Sequence, residues 1–109
     1  MTSETDVIAP TPPPPYYAVI FTSVRTEGDD GYAETARRME ELARQQPGFL
    51  GYESAREGLG ITVSYWENEE AITGWKKNSE HLLAQRYGRE KWYSHFKVRV
   101  CKVERDYGM

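Results

Sequence analysis

The fold is decided by residues 47–66, which read PGFLGYESAREGLGITVSYW. Residues 49–56 and 61–66 are rich in aromatic and β-branched side chains, and this composition predicts two strands. The short Gly-bearing stretch between them predicts a hairpin. Pro47 cannot continue a helix and Gly48 tolerates a positive φ, so the hairpin is expected to follow directly on a helix end.

A strand and an amphipathic helix are predicted on the N-terminal side of this hairpin. Residues 16–24, YYAVIFTSV, have the aromatic and β-branched composition of a first strand. In residues 32–46 small and apolar side chains recur at helical spacing, and charged side chains fill the opposite face. Asp29 or Asp30 is the predicted cap, because a carboxylate accepts the first unpaired N–H groups of a helix.

A second helix and a last strand are predicted on the C-terminal side. Asn68 is a good N-cap for a helix, which Asn78 and Ser79 are expected to restart or kink. Residues 96–104, FKVRVCKVE, alternate and predict the last strand. The apolar face of that strand consists of Phe96, Val98 and Val100.

The resulting order, β-α-β-β-α-β, predicts an α+β ferredoxin-like fold with two helices on one face of a four-stranded antiparallel sheet. Apolar positions on these strands are too many for one helical layer to cover. The face of residues 96–100 is therefore expected to pack against the sheet of a second copy, giving a homodimer.

The composition limits the cellular compartment and the classes of binding partner that are expected. The net charge of −3 lacks the basic excess of a nucleic-acid-binding protein, so no nucleic-acid partner is expected. No apolar run has the roughly 20 residues of a membrane span, and no membrane partner is expected. The lone Cys101 fits a reducing compartment, and a cytoplasmic protein is predicted. Residues 1–15 hold five prolines and predict a flexible arm dispensable for folding, before a domain at 16–109.

Two segments resemble a known family. Residues 46–53, QPGFLGYE, and residues 64–75, SYWENEEAITGW, are similar to the antibiotic biosynthesis monooxygenase family, and the similarity extends over about residues 16–107. The resemblance implies a dimeric α+β barrel with a pocket between the sheet and the helices of each subunit. One branch of that family oxygenates aromatic polyketides without metal or flavin, a second degrades haem, and other members only bind or isomerise small molecules.

The haem-degrading branch fits this chain poorly. That branch uses an Asn on the first strand, a Trp on the second helix and a His after it as iron ligand. Trp75 matches the Trp, but Phe21 stands at the Asn position and Gln85 at the His position. His81, one helical turn earlier, is a possible shifted ligand. Haem degradation therefore ranks last, and neither a cofactor nor a metal is expected.

Two functions remain open from the sequence. One is a cofactor-independent monooxygenase acting on an aromatic or quinone-like small molecule, and the other is a non-catalytic small-molecule-binding or stress-related dimer. A general base is expected in the first case, because proton abstraction starts the reaction. The candidate catalytic residues are His81, His95 and Tyr93. The candidate substrate-binding residues are Trp75, Trp66, Arg56, Arg86 and Tyr87.

Overall fold

The computed structural model describes residues 7–29, 31–85 and 92–109. Its elements are β1 (Tyr16–Arg25), α1 (Tyr32–Arg44), β2 (Phe49–Arg56), β3 (Gly60–Trp66), α2 (Glu69–Gln85) and β4 (Tyr93–Val103). The four strands form one antiparallel sheet in the order β2-β3-β1-β4. This arrangement confirms the predicted α+β ferredoxin-like fold.

The strand register decides which side chains share a face of the sheet. Phe21 pairs with Val98 and Val19 pairs with Val100, so these four side chains lie on the same face. Val19 also belongs to the core under the helices, which identifies this face as the helix side. The prediction that the apolar face of β4 packs against a second sheet is therefore wrong. Because directly paired residues share a face of the sheet, the apolar face of β4 points toward the helices. Phe96, Val98 and Val100 are 41–52% exposed there.

Side-chain oxygens accept hydrogen bonds from backbone N–H groups at the start of both helices. The Asn68 carboxamide oxygen accepts a hydrogen bond from the Ala71 N–H at 2.8 Å, which confirms the predicted cap of α2. The Asp29 carboxylate accepts from the N–H groups of Gly31 and Ala33 at 3.0 and 3.2 Å. Gly31 occupies the N-cap position of α1, and Asp29, two residues earlier, accepts from the first turn without being the cap residue itself. The alternative, Asp30, lies outside the described residues.

The predicted break in the second helix is wrong, because α2 is continuous from Glu69 to Gln85. The Ser79 hydroxyl donates to the Lys76 carbonyl at 3.1 Å, and the Asn78 amide donates to the Gln46 side-chain oxygen at 2.8 Å. These bonds satisfy both side chains without ending the helix. Among the described residues, no helix combines the length and apolar character needed to span a bilayer.

The packed core lies at one end of the layer between the helices and the sheet. Val19, Trp66 and Ile72 form its buried centre, and Trp66 is fully inaccessible. The Trp66 indole N–H donates to the Ser64 hydroxyl at 2.9 Å, so burial leaves no polar atom of the ring unpaired. The layer toward the other end of the sheet is less tightly filled.

The N-terminal arm lies against the sheet face opposite the helices. The Ala9 N–H donates to the Glu53 carboxylate at 2.9 Å, and the Thr11 hydroxyl donates to the Tyr16 hydroxyl at 3.0 Å. The Tyr16 hydroxyl in turn donates to the Asp106 carboxylate in the C-terminal tail. Residues 7–15 thus have defined contacts, and their dispensability stays a prediction.

Candidate functional site

A cavity of about 740 Å³ lies between the sheet and the two helices. Protein interiors normally pack as densely as organic crystals, with few voids larger than a water molecule. A cavity of this size falls within the range of roughly 300–1,000 Å³ that small-molecule sites occupy. The unfilled part of the helix–sheet layer is therefore the candidate ligand site.

One wall of the cavity is the Trp75 indole, which is backed by the buried indole of Trp66. Trp75 on α2 lines the cavity and stacks on Trp66, with ring centroids 5.9 Å apart and planes inclined by 25°. Phe49, which also lines the cavity, makes an edge contact with Trp66 at 5.3 Å. Because Trp66 is held from several sides, it fixes the orientation of Trp75. Trp75 therefore offers a rigid flat surface to a planar ligand.

The opposite end of the sheet carries a cluster of rings around Tyr93. Phe21 and Tyr32 make edge contacts with Tyr93 at centroid distances of 5.4 and 5.9 Å, and Phe96 lies at 6.1 Å. All four residues line the cavity. Burial is the main cause that raises the pKa of Tyr93 above its ordinary value, and the adjacent Tyr32 adds to it. The Tyr93 hydroxyl therefore keeps its proton at neutral pH, and it is hydrogen-bonded to the Tyr32 side chain.

Two guanidinium groups flank this ring cluster. Arg56 donates to the backbone carbonyl of Ser23 at 3.3 Å and also to the Ser23 hydroxyl. Arg25 lies over the Tyr32 ring, 3.4 Å from its centroid, and donates to the Trp92 carbonyl at 3.0 Å. Within the described residues, neither guanidinium forms an ion pair with a carboxylate. Their positive charges partly oppose the rise of the Tyr93 pKa.

Thr35 is a buried polar residue beside the cavity that sequence reasoning missed. Thr35 is 2% exposed, and its Oγ1 has no hydrogen-bond partner among the described residues. It lies on the face of α1 that lines the cavity, between Tyr32 and Met39. A polar residue in an otherwise apolar helical stripe was the available signal, but such a residue usually bonds back to the helix backbone.

Two carboxylates also line the cavity and were not predicted. Glu40 on α1 accepts from the Arg44 guanidinium at 3.2 Å. Glu80 lines the cavity from α2. Charged residues on amphipathic helices are normally assigned to the solvent face, so no feature of their sequence context distinguishes these two. They are the acidic groups that the described part of the cavity wall provides.

The structure brings three of the predicted site residues to one cavity. Trp75, Arg56 and Tyr93 all contribute to its lining. Trp66 lies behind Trp75 in the core and does not line the cavity. Arg86 and Tyr87, the other two predicted substrate-binding residues, lie outside the described residues.

The two histidines lie away from the cavity lining. His81 is exposed on α2, whereas the lining positions of that helix follow Ile72 at helical spacing on another face. His95 is exposed on β4 and pairs with Val24, so it faces the side of the sheet opposite the helices. A catalytic role for either histidine stays a prediction.

Comparisons with known proteins agree with this fold. The sequence profile of a family described as antibiotic biosynthesis monooxygenase matches residues 15–87. The uncharacterized protein YqjZ of Bacillus subtilis is 57% identical over 102 residues, which cover 92% of this chain and 90% of that protein.

Solved structures of lower identity share the same fold. A variant of SnoaB, a cofactor-independent oxygenase from Streptomyces nogalater, superposes with a TM-score of 0.68 at 12% identity, covering 84% of this chain and 95% of that chain. A variant of MhuD with two manganese protoporphyrin IX molecules bound per active site superposes with a TM-score of 0.61 at 22% identity, covering 85% and 99%. At these identities the likeness concerns the fold alone.

Proposed function

Since this chain belongs to the antibiotic biosynthesis monooxygenase family, we propose that it is a cofactor-independent monooxygenase acting on an aromatic or quinone-like small molecule. The observation that carries the proposal is that one cavity combines a flat indole wall at Trp75 with the Arg56 guanidinium and the protonated Tyr93 hydroxyl. The first suits a planar ring system, and the others suit an oxygen that becomes negative during reaction.

The chemistry follows from a substrate that supplies its own electrons, such as an anthrone. The CH₂ group opposite its carbonyl loses a proton, and the resulting carbanion is delocalised onto the carbonyl oxygen. The anion transfers electrons to O₂ and forms a C–O bond, giving a hydroperoxide after protonation. Loss of water leaves a second carbonyl, so the balance is CH₂ + O₂ → C=O + H₂O. Carbon is oxidised by four electrons and O₂ accepts them.

The cavity residues act on the first step of this sequence. Arg56 and Tyr93 stabilise the negative oxygen of the substrate anion, which makes the CH₂ group more acidic. Trp75 holds the ring system by stacking. The proton passes to Glu40 or Glu80, the carboxylates of the described cavity wall. In this proposal the protein lowers the barrier to ionisation, and the substrate carries out the electron transfer.

A binding-only function is the second candidate, and the placement of the histidines favours it. A base with a pKa near neutrality is the group that proton abstraction needs most. Neither His81 nor His95 lines the described cavity, and Tyr93 holds its proton too tightly to serve. A protein that binds planar molecules without converting them would have the same indole wall and the same guanidinium. The two candidates differ only in turnover.

Haem degradation ranks below both. Phe21 lines the cavity at the position where the haem-degrading branch carries an Asn, and a phenyl ring donates no hydrogen bond to iron-bound oxygen. We expect no sharp Soret shift on titration with haemin. A tight one-to-one complex that His81→Ala abolishes would reverse this ranking.

In this proposal the functional unit is a homodimer, and it acts in the cytoplasm. The lone Cys101 supports a reducing compartment. The dimer is inferred because apolar side chains are exposed on the sheet face opposite the helices. Ile61 and Val24 are 41% and 38% exposed there, and both neighbour Thr22 on that face, Ile61 as its partner on β3 and Val24 two residues further along β1. A second copy packing against this face would remove these side chains from water.

Oxygen uptake with 1,8-dihydroxyanthrone tests the proposal. The wild-type protein should accelerate uptake above the protein-free rate, and Arg56→Gln should reduce the acceleration about 10²-fold, as loss of an oxyanion donor does. Arg38→Gln is the matched control, because Arg38 is exposed on α1 and does not line the cavity. Equal rates in the two variants would contradict the role of Arg56. Binding without uptake would establish the binding-only function.

A further inference from the structure

The N-terminal arm, residues 7–15, is held on the sheet face opposite the helices through Ala9. The Ala9 N–H donates to the Glu53 carboxylate at 2.9 Å, and the Tyr65 hydroxyl donates to the same carboxylate at 2.6 Å. An added Cβ at Gly51 would lie 3.0 Å from the Ala9 Cβ, so Ala9 packs directly on the backbone of β2. The absence of a side chain at Gly51 leaves room for the arm, which therefore has a fixed place on this face.

The arm leaves two apolar side chains in water. Val7 and Ile8 directly precede Ala9, and they are 66% and 68% exposed. Their contacts with their own chain are therefore few. Removal of apolar surface from water is the dominant favourable contribution to most protein association. The exposed pair therefore indicates a second surface that covers the arm from its other side.

The charges on the same sheet face indicate which surface this is. The strand register places Glu53 on β2 and Arg99 on β4 in one row across the sheet, with two apolar residues between them. Lys97 lies beside Arg99 on that face, and neither forms an ion pair with a carboxylate of the described chain. The face thus has an acidic edge at β2 and a basic edge at β4.

This charge distribution favours one way of pairing two copies. A two-fold axis parallel to the strands lays the basic edge of each copy over the acidic edge of the other. An axis across the strands would instead bring the two basic edges together, which repulsion between like charges disfavours. The favoured arrangement places β4 of a second copy over β2 of the first, where the arm lies.

We propose that the arm is part of the homodimer interface, held between its own β2 and the β4 of a second copy, which covers Val7 and Ile8. The exposed Cys101 on β4 lies in the same row of the sheet as Gly51, on which Ala9 packs. The arm of one copy therefore lies close to the cysteine of the other. The inference rests on the homodimer of the proposed function and requires no turnover.

Disulfide cross-linking of the full-length protein tests this placement, because Cys101 is its single cysteine. Ile8→Cys adds one thiol to the arm. Mild oxidation should convert this variant into a covalent dimer on a non-reducing gel, and the further substitution Cys101→Ser should abolish it. The two thiols cannot pair within one chain, since β2 and β4 are the outer strands of the sheet. Three strand spacings, about 14 Å, separate them, whereas a disulfide joins Cα atoms no more than about 7 Å apart.

Two further variants separate a specific contact from chance collision. Arg38→Cys is the matched control, because it adds an exposed thiol on α1, away from this sheet face. It should cross-link about tenfold more slowly than Ile8→Cys or less, since only an interface contact raises the effective concentration of the two thiols. Ile8→Ser removes the apolar side chain and should raise the dissociation constant of the dimer about tenfold in sedimentation experiments.

The outcomes separate this inference from the proposed activity. A dimeric Ile8→Cys protein that forms no covalent dimer overturns the placement of the arm, as does an intrachain disulfide. A covalent dimer that persists after Cys101→Ser means that the two arms meet each other, and it overturns the contact with β4. A monomeric wild type overturns the arm interface and the homodimer but leaves the oxygenase proposal standing. Specific cross-linking without oxygen uptake from 1,8-dihydroxyanthrone supports the arm interface and refutes the oxygenase.

Discussion

Substitution of Gly48 by alanine should be among the most damaging single changes of a small residue in this chain. Gly48 adopts φ = +81°, and an added Cβ would lie 2.7 Å from the Cβ of Ala71 in the first turn of α2. The Gly48 carbonyl also accepts a hydrogen bond from the Glu67 N–H at 2.8 Å, so the turn is tied to the start of that helix. The new methyl group has no free direction in which to move.

Two costs add at this position. An alanine in the left-handed region costs about 1–2 kcal/mol relative to glycine. The forced contact with Ala71 requires a shift of α2, and overpacking of this kind costs about 1–3 kcal/mol. The expected loss of unfolding free energy is therefore about 2–5 kcal/mol. Because Trp75 lies on the same helix, the shift should also disturb the indole wall of the cavity.

Gly31→Ala is the matched control, since Gly31 has φ = +85° but no atom within 4 Å of an added Cβ. It should lose only the conformational part, about 1–2 kcal/mol. Urea unfolding of both variants, followed by circular dichroism, measures the difference. A Gly48→Ala loss no larger than that of Gly31→Ala would mean that α2 accommodates the methyl group freely, and the packing argument would fail.

Three further predictions concern stability and assembly. Deletion of residues 1–14 removes the bond from Ala9 to Glu53 but should leave a folded domain, with an unfolding free energy lower by only about 1 kcal/mol. A collapse of the urea midpoint would show that the arm is required for folding. In the folded state the pKa of Tyr93 lies above its ordinary value of 10, so the free energy of unfolding should fall as pH rises above about 10. Tyr93→Phe should make that decline less steep. Parallel pH profiles of the variant and the wild type would contradict this prediction. Sedimentation equilibrium at micromolar concentration should give a dimer, and a species of 12.6 kDa would exclude it.

The order and type of the elements were predictable because their signals are local. The hairpin follows from strand composition around a Gly-bearing turn, and the Asn68 cap follows from the chemistry of one side chain. The continuity of α2 was not predictable, because the amide of Asn78 bonds to Gln46, a residue on a different element. A local breaker signal was overridden by a tertiary contact.

The candidate site was predictable only in part. Trp75, Arg56 and Tyr93 could be named because aromatic, cationic and phenolic groups carry recognisable chemistry. Thr35 could not be named, since a sequence does not reveal which hydroxyl lacks a partner. The face of β4 was also misassigned, because alternation defines two faces of a strand but does not say which one the helices approach.

The most direct test of the cavity as an anion-stabilising ligand site is the pKa of a bound dye. The absorbance of 2-hydroxyanthraquinone changes when its hydroxyl ionises, so its pKa can be read by titration in the presence of saturating protein. Stabilisation of the anion by Arg56 and Tyr93 predicts a bound pKa lower than the free value by about one unit or more, since an opposite charge within about 4–6 Å has this effect. Arg56→Gln should return the pKa toward the free value, and Arg38→Gln should not. A bound pKa that is unchanged or raised would contradict the central claim.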